Sequence, residues 1–277
     1  MGLTTGPLDS MNVLQRLAFS PLFTQLVITR RCNLSCSYCN EFDRTSTPVP
    51  TETLKQRICQ IKDLGSFSIC LTGGEPFLHP DLCGLLSFCR HEQKFFRTSM
   101  ITNGYFLTPD SIKQLNEAGL QDMQISIDGV TPNDHTVKVL AVLKKRLYDL
   151  KEHAKFNVVV SGVVGASPPS ETFEVIAFAK QMGFRPRILL VHGADGQVKL
   201  TEEELLAYHQ LKKLIPRHFY EVSDWRHQMI KTGEAPFKCR SGSRYLYVDE
   251  AGLVSWCSQK RDKFSKPLRE YTPADLK

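Results

Sequence analysis

Between residues 23 and 216, short and densely apolar runs alternate with longer segments in which apolar positions recur every three or four residues. The short runs are rich in Val, Ile and Thr and predict strands, whereas the longer segments predict amphipathic helices. The six predicted strands span 23–29, 67–72, 97–102, 122–127, 157–164 and 187–192. One predicted helix follows each strand, and these helices span 51–64, 80–91, 109–118, 137–153, 170–182 and 201–215.

The ends of several predicted helices carry the residues expected at such positions. Thr51, Thr108 and Thr201 stand where a side chain caps the amino terminus of a helix. Gly119 and Gly183 stand just beyond predicted helix ends, where the backbone often needs a positive φ. These local signals agree with the boundaries that the apolar periodicity indicates.

Six strand-then-helix units predict an α/β fold with a parallel sheet and right-handed crossovers. Because there are six units rather than the eight of a full barrel, we expect a partial (β/α)6 barrel of the TIM type. A doubly wound sheet fits the same pattern. In both architectures functional side chains gather at the carboxyl ends of the strands, which is where the motifs described below stand.

The remaining residues flank this predicted barrel, which we place at residues 22–216. Residues 1–21 form a lead-in, in which Met11, Leu14 and Leu17 are spaced as in a short amphipathic helix. Residues 217–277 differ in character, because two short strand-like runs around the turn residues 249–252 predict a hairpin. We therefore expect a small C-terminal hairpin extension.

Composition excludes several classes of protein. Hydrophobic residues make up 42% and charged residues 23%, as in a folded globular chain rather than a disordered one. The 35 basic and 29 acidic residues give a net charge of +6, which is too mild to favour nucleic acid as a partner. No apolar run approaches the roughly 20 residues of a membrane span, and residues 1–15 lack the regions of a secretion signal. We therefore expect a cytoplasmic protein without a membrane span.

Three of the nine cysteines, Cys32, Cys36 and Cys39, follow the first predicted strand with the spacing Cys-x3-Cys-x2-Cys. One short loop can bring three such thiolates to a single soft metal centre. A [4Fe–4S] cluster normally takes four cysteine ligands, so three local ligands would leave one iron open to an outside ligand. A zinc site would need a fourth Cys or His nearby, which the loop lacks. Three free thiols rarely pack in one polar loop, so the pattern favours an iron–sulfur cluster.

Polar motifs follow the next three predicted strands. Residues 73–76 read Gly-Gly-Glu-Pro, in which the glycines let backbone approach a ligand without a Cβ in the way, and the carboxylate can accept from an ammonium group. Asn103 follows the third strand, and Ser126 and Asp128 lie at the end of the fourth. Their small polar side chains suit contacts to a ribose or an amino-acid group. Taken singly, the Asn-Gly and Asp-Gly pairs are more typical of ordinary turns.

Together these features resemble the radical S-adenosylmethionine (SAM) enzymes. The resemblance covers about residues 22–215 and rests on the three-cysteine loop with its aromatic Tyr38, followed by Gly-Gly-Glu-Pro, Thr-Asn-Gly and Ser-Ile-Asp-Gly on successive strands. It implies a partial (β/α)6 barrel in which Cys32, Cys36 and Cys39 ligate a [4Fe–4S] cluster and SAM chelates the fourth iron. The cofactor contacts that it implies are Gly73, Gly74 and Glu75 for the methionyl ammonium, Tyr38 for the adenine, and Asn103, Ser126 and Asp128 for the ribose and methionyl side.

The resemblance also implies a reaction and its partners. An external one-electron reductant of the flavodoxin or ferredoxin type would reduce the cluster, which would cleave SAM to a 5′-deoxyadenosyl radical. This radical would abstract hydrogen from a peptide or small-molecule substrate, while the protein orients the cofactor and excludes water. Two other classes stay open: an iron–sulfur electron-transfer or sensor protein that never cleaves SAM, and a zinc-stabilised barrel with a binding role. The presence of Glu75 and Asn103 argues against the first.

The predicted hairpin carries a second cysteine pair. The arrangement Cys239-x12-Gly252-x4-Cys257 resembles the opening half of a SPASM or twitch extension, which holds auxiliary iron–sulfur clusters in many radical SAM enzymes. Two thiolates are too few for a [4Fe–4S] site. The extension is therefore degenerate and free of a cluster, or the chain is truncated, or other ligands complete an auxiliary site.

Overall fold

The computed structural model describes residues 19–40, 42–193, 197–198, 200–215, 232, 239–258, 261 and 265–277. Within them, six strands alternate with six α-helices before a short C-terminal group of strands. The alternating strands are β1 (Phe23–Thr29), β2 (Ser68–Gly73), β3 (Arg97–Thr102), β4 (Asp122–Ile127), β5 (Asn157–Val164) and β6 (Arg185–Leu190). The helices are α1 (Thr51–Asp63), α2 (Leu82–Ser87), α3 (Pro109–Glu117), α4 (Leu140–His153), α5 (Pro169–Gln181) and α6 (Glu202–Leu214).

The order of the strands confirms the partial barrel and excludes the doubly wound sheet. From β2 to β6 every strand pairs in parallel with the strand that precedes it in the chain. A doubly wound sheet would reverse direction after its first strands, but the order here runs from β6 to β1 without a reversal. In the described part of the chain β6 and the C-terminal strand β9 (Lys266–Pro267) form the two edges, so the barrel does not close.

The two faces of the sheet differ in polarity. Residues on the helix-covered face, such as Leu26, Leu71, Met100, Ile125 and Val160, are buried and belong to one apolar core. Because side chains alternate across a strand, the residues between them face the concave side. Most concave residues of the six strands are polar, among them Gln25, Ser99, Gln124, Ser126, Ser161 and Arg187, but Val27, Ile101, Val159 and Leu189 lie on the same side. A closed TIM barrel fills its interior with branched apolar side chains, so this polar concave face is a distinctive feature of the molecule.

The predicted boundaries agree with the structure at most ends. Strands β1, β3, β4 and β5 have the predicted bounds, and Thr108 and Thr201 cap α3 and α6 as expected. Gly119 and Gly183 have the expected positive φ, +79° and +78°. The prediction of a cap at Thr51 was wrong, because α1 already includes Thr51 and has no side-chain cap.

Two other predicted elements need correction. β6 lies two residues earlier than predicted and contains Pro186, which this strand tolerates because it forms an edge of the sheet. The second predicted helix is shorter, since α2 ends at Ser87 and a π-helical turn, Phe88–Glu92, follows it. The predicted helix in residues 1–21 lies almost wholly outside the described residues.

The C-terminal hairpin is present and joins the sheet. β7 (Tyr245–Val248) and β8 (Leu253–Ser255) pair antiparallel around the predicted turn, and β9 follows β8. The sequence did not predict that β7 would pair in parallel with β1, on the side opposite β2. The strand that leads into the three-cysteine segment is therefore internal to the sheet. No helix within the described ranges is long and apolar enough to cross a membrane.

Candidate active site at the carboxyl ends of β1 to β4

The three predicted ligand cysteines lie in a segment that begins directly after β1, and we name residues 32–40 the cysteine loop. Its base is closed by backbone hydrogen bonds, from the Cys32 N–H to the Asp43 carbonyl at 2.9 Å and from the Asp43 N–H to the Arg30 carbonyl at 2.9 Å. Within the loop, the Cys39 N–H donates to the Cys36 carbonyl at 3.0 Å, which forms a tight turn. The end of β1 thus fixes the start of the loop. A local turn joins the backbone of the second and third cysteines.

Hydrogen-bond donors surround the first two thiols. The Leu34 N–H lies 3.4 Å from the Sγ of Cys32, and the Nδ2 of Asn103 lies 3.8 Å from it. The Sγ of Cys36 is buried and lies 3.7 Å from the Oγ1 of Thr136. Burial is the main cause that raises the pKa of the Cys32 thiol. Donors of this kind around cysteine sulfur tune an iron–sulfur cluster, so the donor set fits a thiolate-ligated cluster.

The two glycines after β2 make close contact with the entrance of the cysteine loop. A Cβ on Gly73, whose φ is +152°, would lie 2.0 Å from the Thr29 carbonyl oxygen. A Cβ on Gly74 would lie 2.3 Å from the Arg30 oxygen and 2.4 Å from the Arg31 oxygen. The Gly74 N–H also donates to the Thr29 carbonyl at 2.8 Å. The space left by the missing side chains is therefore filled by backbone of this chain, and the predicted contact of these glycines with a ligand stays a prediction.

Glu75 is completely buried between β2 and β3. Its carboxylate accepts from the Phe77 N–H at 3.2 Å, the Thr102 hydroxyl at 2.8 Å and the Asn103 N–H at 2.8 Å. Burial raises the pKa of Glu75 to about 7, although these hydrogen bonds act in the opposite direction. The carboxylate joins the Gly-Gly-Glu-Pro turn to the end of β3, a structural role that the sequence analysis did not foresee.

Asn103 connects the end of β3 to the cysteine loop. Its Nδ2 donates to the Oδ1 of Asn33 at 2.8 Å, in addition to its approach to Cys32. Its Oδ1 accepts from the Tyr105 N–H at 3.0 Å, which holds the amide in one orientation. Glu75 and Asn103 therefore form a chain of hydrogen bonds that runs from the turn after β2, through the end of β3, to the first cysteine.

Asp128 lies at the carboxyl end of β4 and is fully buried. Its Oδ2 accepts from the Tyr38 hydroxyl at 2.5 Å and the Thr136 hydroxyl at 2.6 Å, and its Oδ1 lies 3.4 Å from the Oγ of Ser126. The Nζ of Lys138 lies 3.3 Å from the same Oδ2. Burial strongly raises the pKa of Tyr38. The structure thus brings the predicted residues Tyr38, Ser126 and Asp128 together in one network.

The loop between β4 and α4 contacts the cysteine loop. The sequence analysis did not predict this contact. The Ser37 N–H donates to the His135 carbonyl at 3.1 Å, and the Oγ of Ser37 lies 2.8 Å from the Nδ1 of His135. Two further residues of this connection contact the cysteine loop, since Thr136 lies beside Cys36 and Lys138 lies over the ring of Tyr38. Polar residues in a connection give no strong signal by themselves; only the contact with the cysteine loop reveals their importance.

The second predicted cysteine pair has different surroundings. Cys239 is exposed, and its Sγ donates to the Oγ of Ser241 at 3.2 Å. Cys257 is partly buried just after β8. Among the described residues, no three Cys, His, Asp or Glu side chains are grouped as the ligands of one metal ion. The same holds for Cys32, Cys36 and Cys39, so both the cluster ligands after β1 and the auxiliary cluster stay predictions.

Comparison with known proteins identifies the class of enzyme. Residues 26–211, more than half of the chain, match the model of the Radical SAM superfamily, and the chain belongs to that family. It is an enzyme that uses a [4Fe–4S] cluster and SAM.

Individual relatives have different activities. The chain is 28% identical over 260 residues to a GTP 3′,8-cyclase of Aliarcobacter butzleri, covering 84% of this chain and 79% of that protein. It is 34% identical over 113 residues to a PqqA peptide cyclase of Bradyrhizobium diazoefficiens, covering 40% of this chain and 29% of that protein. The fold resembles the crystal structure of Streptococcus suis SuiB bound to SAM, with a TM-score of 0.68 and 14% identity over 98% of this chain and 69% of SuiB.

Proposed function

We propose that this radical SAM enzyme binds its [4Fe–4S] cluster through Cys32, Cys36 and Cys39 and abstracts hydrogen from a peptide or a small polar metabolite. The observation that carries the proposal is the support of the cysteine loop by groups from three neighbouring strand ends. The β2 turn packs against its entrance, Asn103 of β3 reaches Cys32, and the loop after β4 contacts residues 36–38.

When bound, the cluster and SAM would supply the radical chemistry, which is the one-electron cleavage of SAM and the removal of hydrogen from the substrate. The protein holds the ligands in place for this step. Leu34 and Asn103 direct N–H groups at the sulfur of Cys32, and Thr136 stands beside Cys36. Glu75 orients Asn103 through its backbone N–H. These residues keep the first two thiols in a polar, partly buried setting.

We assign the SAM contacts to groups that remain in reach at the same strand ends. The backbone of Gly73, Gly74 and Glu75 offers carbonyl groups to the methionyl ammonium, while the Glu75 carboxylate acts as a positioning group because it is already bonded within the protein. Tyr38 is the contact for the adenine. Asn103 and Ser126 contact the ribose and methionyl side, and Asp128 acts on that side by fixing Tyr38.

The polarity of the concave face favours a polar substrate. Residues near the middle of the strands carry hydroxyl, amide and guanidinium groups on this face. The Nη1 of Arg187 donates to the Oε1 of Gln124 at 2.8 Å. A polar interior of this kind suits a peptide or a hydrophilic metabolite, because such a substrate can exchange hydrogen bonds with these groups. The relatives that act on GTP and on the PqqA peptide belong to the same two substrate classes.

An external one-electron carrier of the flavodoxin or ferredoxin type is the reductant that we propose. Arg31 and Arg44 are exposed next to the cysteine loop, and the Nη2 of Arg44 donates to the Oγ of Ser35 at 2.9 Å. Positive charge beside the loop favours encounter with an acidic carrier.

The test uses anaerobically purified protein reconstituted with iron and sulfide. SAM and dithionite are added, and 5′-deoxyadenosine is quantified for the wild type, for Cys36→Ala and for Cys83→Ala as a matched control outside the site. We expect 5′-deoxyadenosine from the wild type and from Cys83→Ala, and none from Cys36→Ala. A wild-type cluster that is reduced, yields no 5′-deoxyadenosine and shows an electron paramagnetic resonance (EPR) spectrum unchanged by SAM would contradict the proposal.

A further inference from the structure

A buried ion pair lies directly behind the cysteine loop. The Nζ of Lys138 is 3.3 Å from the Oδ2 of Asp128, and the two side chains are only 13% and 0% exposed. The backbone joins them as well, because the Asp128 N–H donates to the Lys138 carbonyl at 2.7 Å. A buried pair of this kind gives little net stability, since the cost of desolvating two charges offsets their attraction. Its position therefore calls for another explanation than stability.

Both members of the pair contact the cysteine loop through one aromatic residue. The Tyr38 hydroxyl donates to the Oδ2 of Asp128 at 2.5 Å, and the Nζ of Lys138 lies 5.2 Å from the centre of the Tyr38 ring. Thr136 forms a second connection, because its Oγ1 lies 2.6 Å from Asp128 and 3.7 Å from the Sγ of Cys36. The pair is thus one hydrogen-bonded residue away from a proposed cluster ligand.

We propose that Asp128 and Lys138 are positioning residues that fix Tyr38 and whose opposite charges balance each other in their effect on the reduction potential of the cluster. This inference rests on the proposed function, because it requires the cluster on Cys32, Cys36 and Cys39. Reduction adds one negative charge to the cluster. In the protein interior a nearby cation favours that charge and a nearby anion opposes it, and local charge is one of the factors that set such potentials.

The two charges oppose each other in the native protein. The pair can therefore hold Tyr38 rigidly while leaving the cluster close to the potential of an uncharged surrounding. Removal of one member exposes the full effect of the other. Loss of the carboxylate leaves a buried cation, which makes reduction easier, and loss of the ammonium leaves a buried anion, which makes reduction harder.

The experiment is an EPR-monitored redox titration of the reconstituted protein, without SAM and at one fixed pH. It compares the wild type with Asp128→Asn, Lys138→Met and the double variant, and with Tyr38→Phe as a variant that keeps both charges. We expect a higher potential for Asp128→Asn, a lower potential for Lys138→Met, and a return towards the wild-type value in the double variant. Tyr38→Phe should shift the potential less than either single charge variant.

A purely mechanical role predicts a different pattern. All four variants would then shift the potential in the same direction or leave it unchanged, and either result overturns the inference. If Lys138→Met does not fold, the step from Asp128→Asn to the double variant still removes the cation alone and must lower the potential. Failure of the proposed function has a separate signature, because the wild type itself would then form no cluster that depends on Cys36.

Discussion

The two groups of cysteines in this molecule differ both in their sequence signals and in their structural surroundings. Cys32, Cys36 and Cys39 lie in a loop that three neighbouring strand ends contact with backbone and side-chain groups. Cys239 is exposed beside Ser241, and Cys257 follows a three-residue strand in the hairpin. The comparison teaches that spacing in the sequence indicates where thiolate ligands can meet, whereas the polar groups that surround the thiols are visible only in the structure.

The largest expected difference between the two groups is in iron content. Cys36→Ala should lose the bound iron and sulfide, because two remaining local thiolates are too few for the cluster. The double variant Cys239→Ser/Cys257→Ser should keep the wild-type content of about four irons per chain, the number in one [4Fe–4S] cluster. Iron and sulfide analysis after reconstitution measures both. A wild-type content of about eight irons that falls to about four in the double variant would show an auxiliary cluster and remove the contrast.

The next effect concerns the packing of the β2 turn against the entrance of the cysteine loop. Gly74→Ala places a Cβ within 2.4 Å of two carbonyl oxygens, so the loop must move. We expect a loss of about 3 kcal/mol in the free energy of unfolding, together with poor cluster incorporation. Gly183→Ala is the matched control, because its φ of +78° carries strain but nothing lies within 4 Å of the added Cβ. That variant should lose about 1–2 kcal/mol and bind iron normally. Equal urea-unfolding midpoints for the two variants would refute the packing argument.

The smallest effect is the pH dependence that Glu75 gives to stability. Burial raises its pKa to about 7 in the folded protein, above the ordinary value of 4.5. The folded state therefore binds this proton more tightly, and the stabilisation is full below pH 4.5 and is lost as the pH rises through 7. The total change is at most about 3 kcal/mol. Glu75→Gln removes this titration, so the stability of the wild type relative to the variant should fall between pH 5 and pH 7.

Urea unfolding of the cluster-free proteins at three pH values measures this difference. A difference that stays constant across the range would mean that Glu75 is ionised in the folded protein throughout. The amide of the variant cannot accept from all three donors that meet the carboxylate. A constant loss of stability is therefore expected in addition to the pH-dependent part.

Local patterns in the sequence predicted the elements and the cysteine loop well, because both depend on neighbouring residues. The bounds of β1 and β4 followed from periodicity, and the Cys-x3-Cys-x2-Cys spacing identified the proposed ligands. The orientation of buried polar groups could not be predicted in this way. Glu75 and Asp128 look like ligand contacts in the sequence, but each accepts hydrogen bonds from residues of another strand or loop. Their partners depend on which chain segments meet in space.

The parallel pairing of β1 with β7 has a consequence for the order of events during biosynthesis. Arg30 donates to the carbonyl of Asn40, the last residue of the cysteine loop, and also to the carboxylate of Glu250, a residue 220 positions later in the chain. The cysteines leave the ribosome early, but the strand beside β1 and this carboxylate are translated only near the end of the described sequence. The proposed cluster site is therefore completed late, because a nascent chain that already carries all three cysteines still lacks β7 and Glu250, which contact β1 and Arg30.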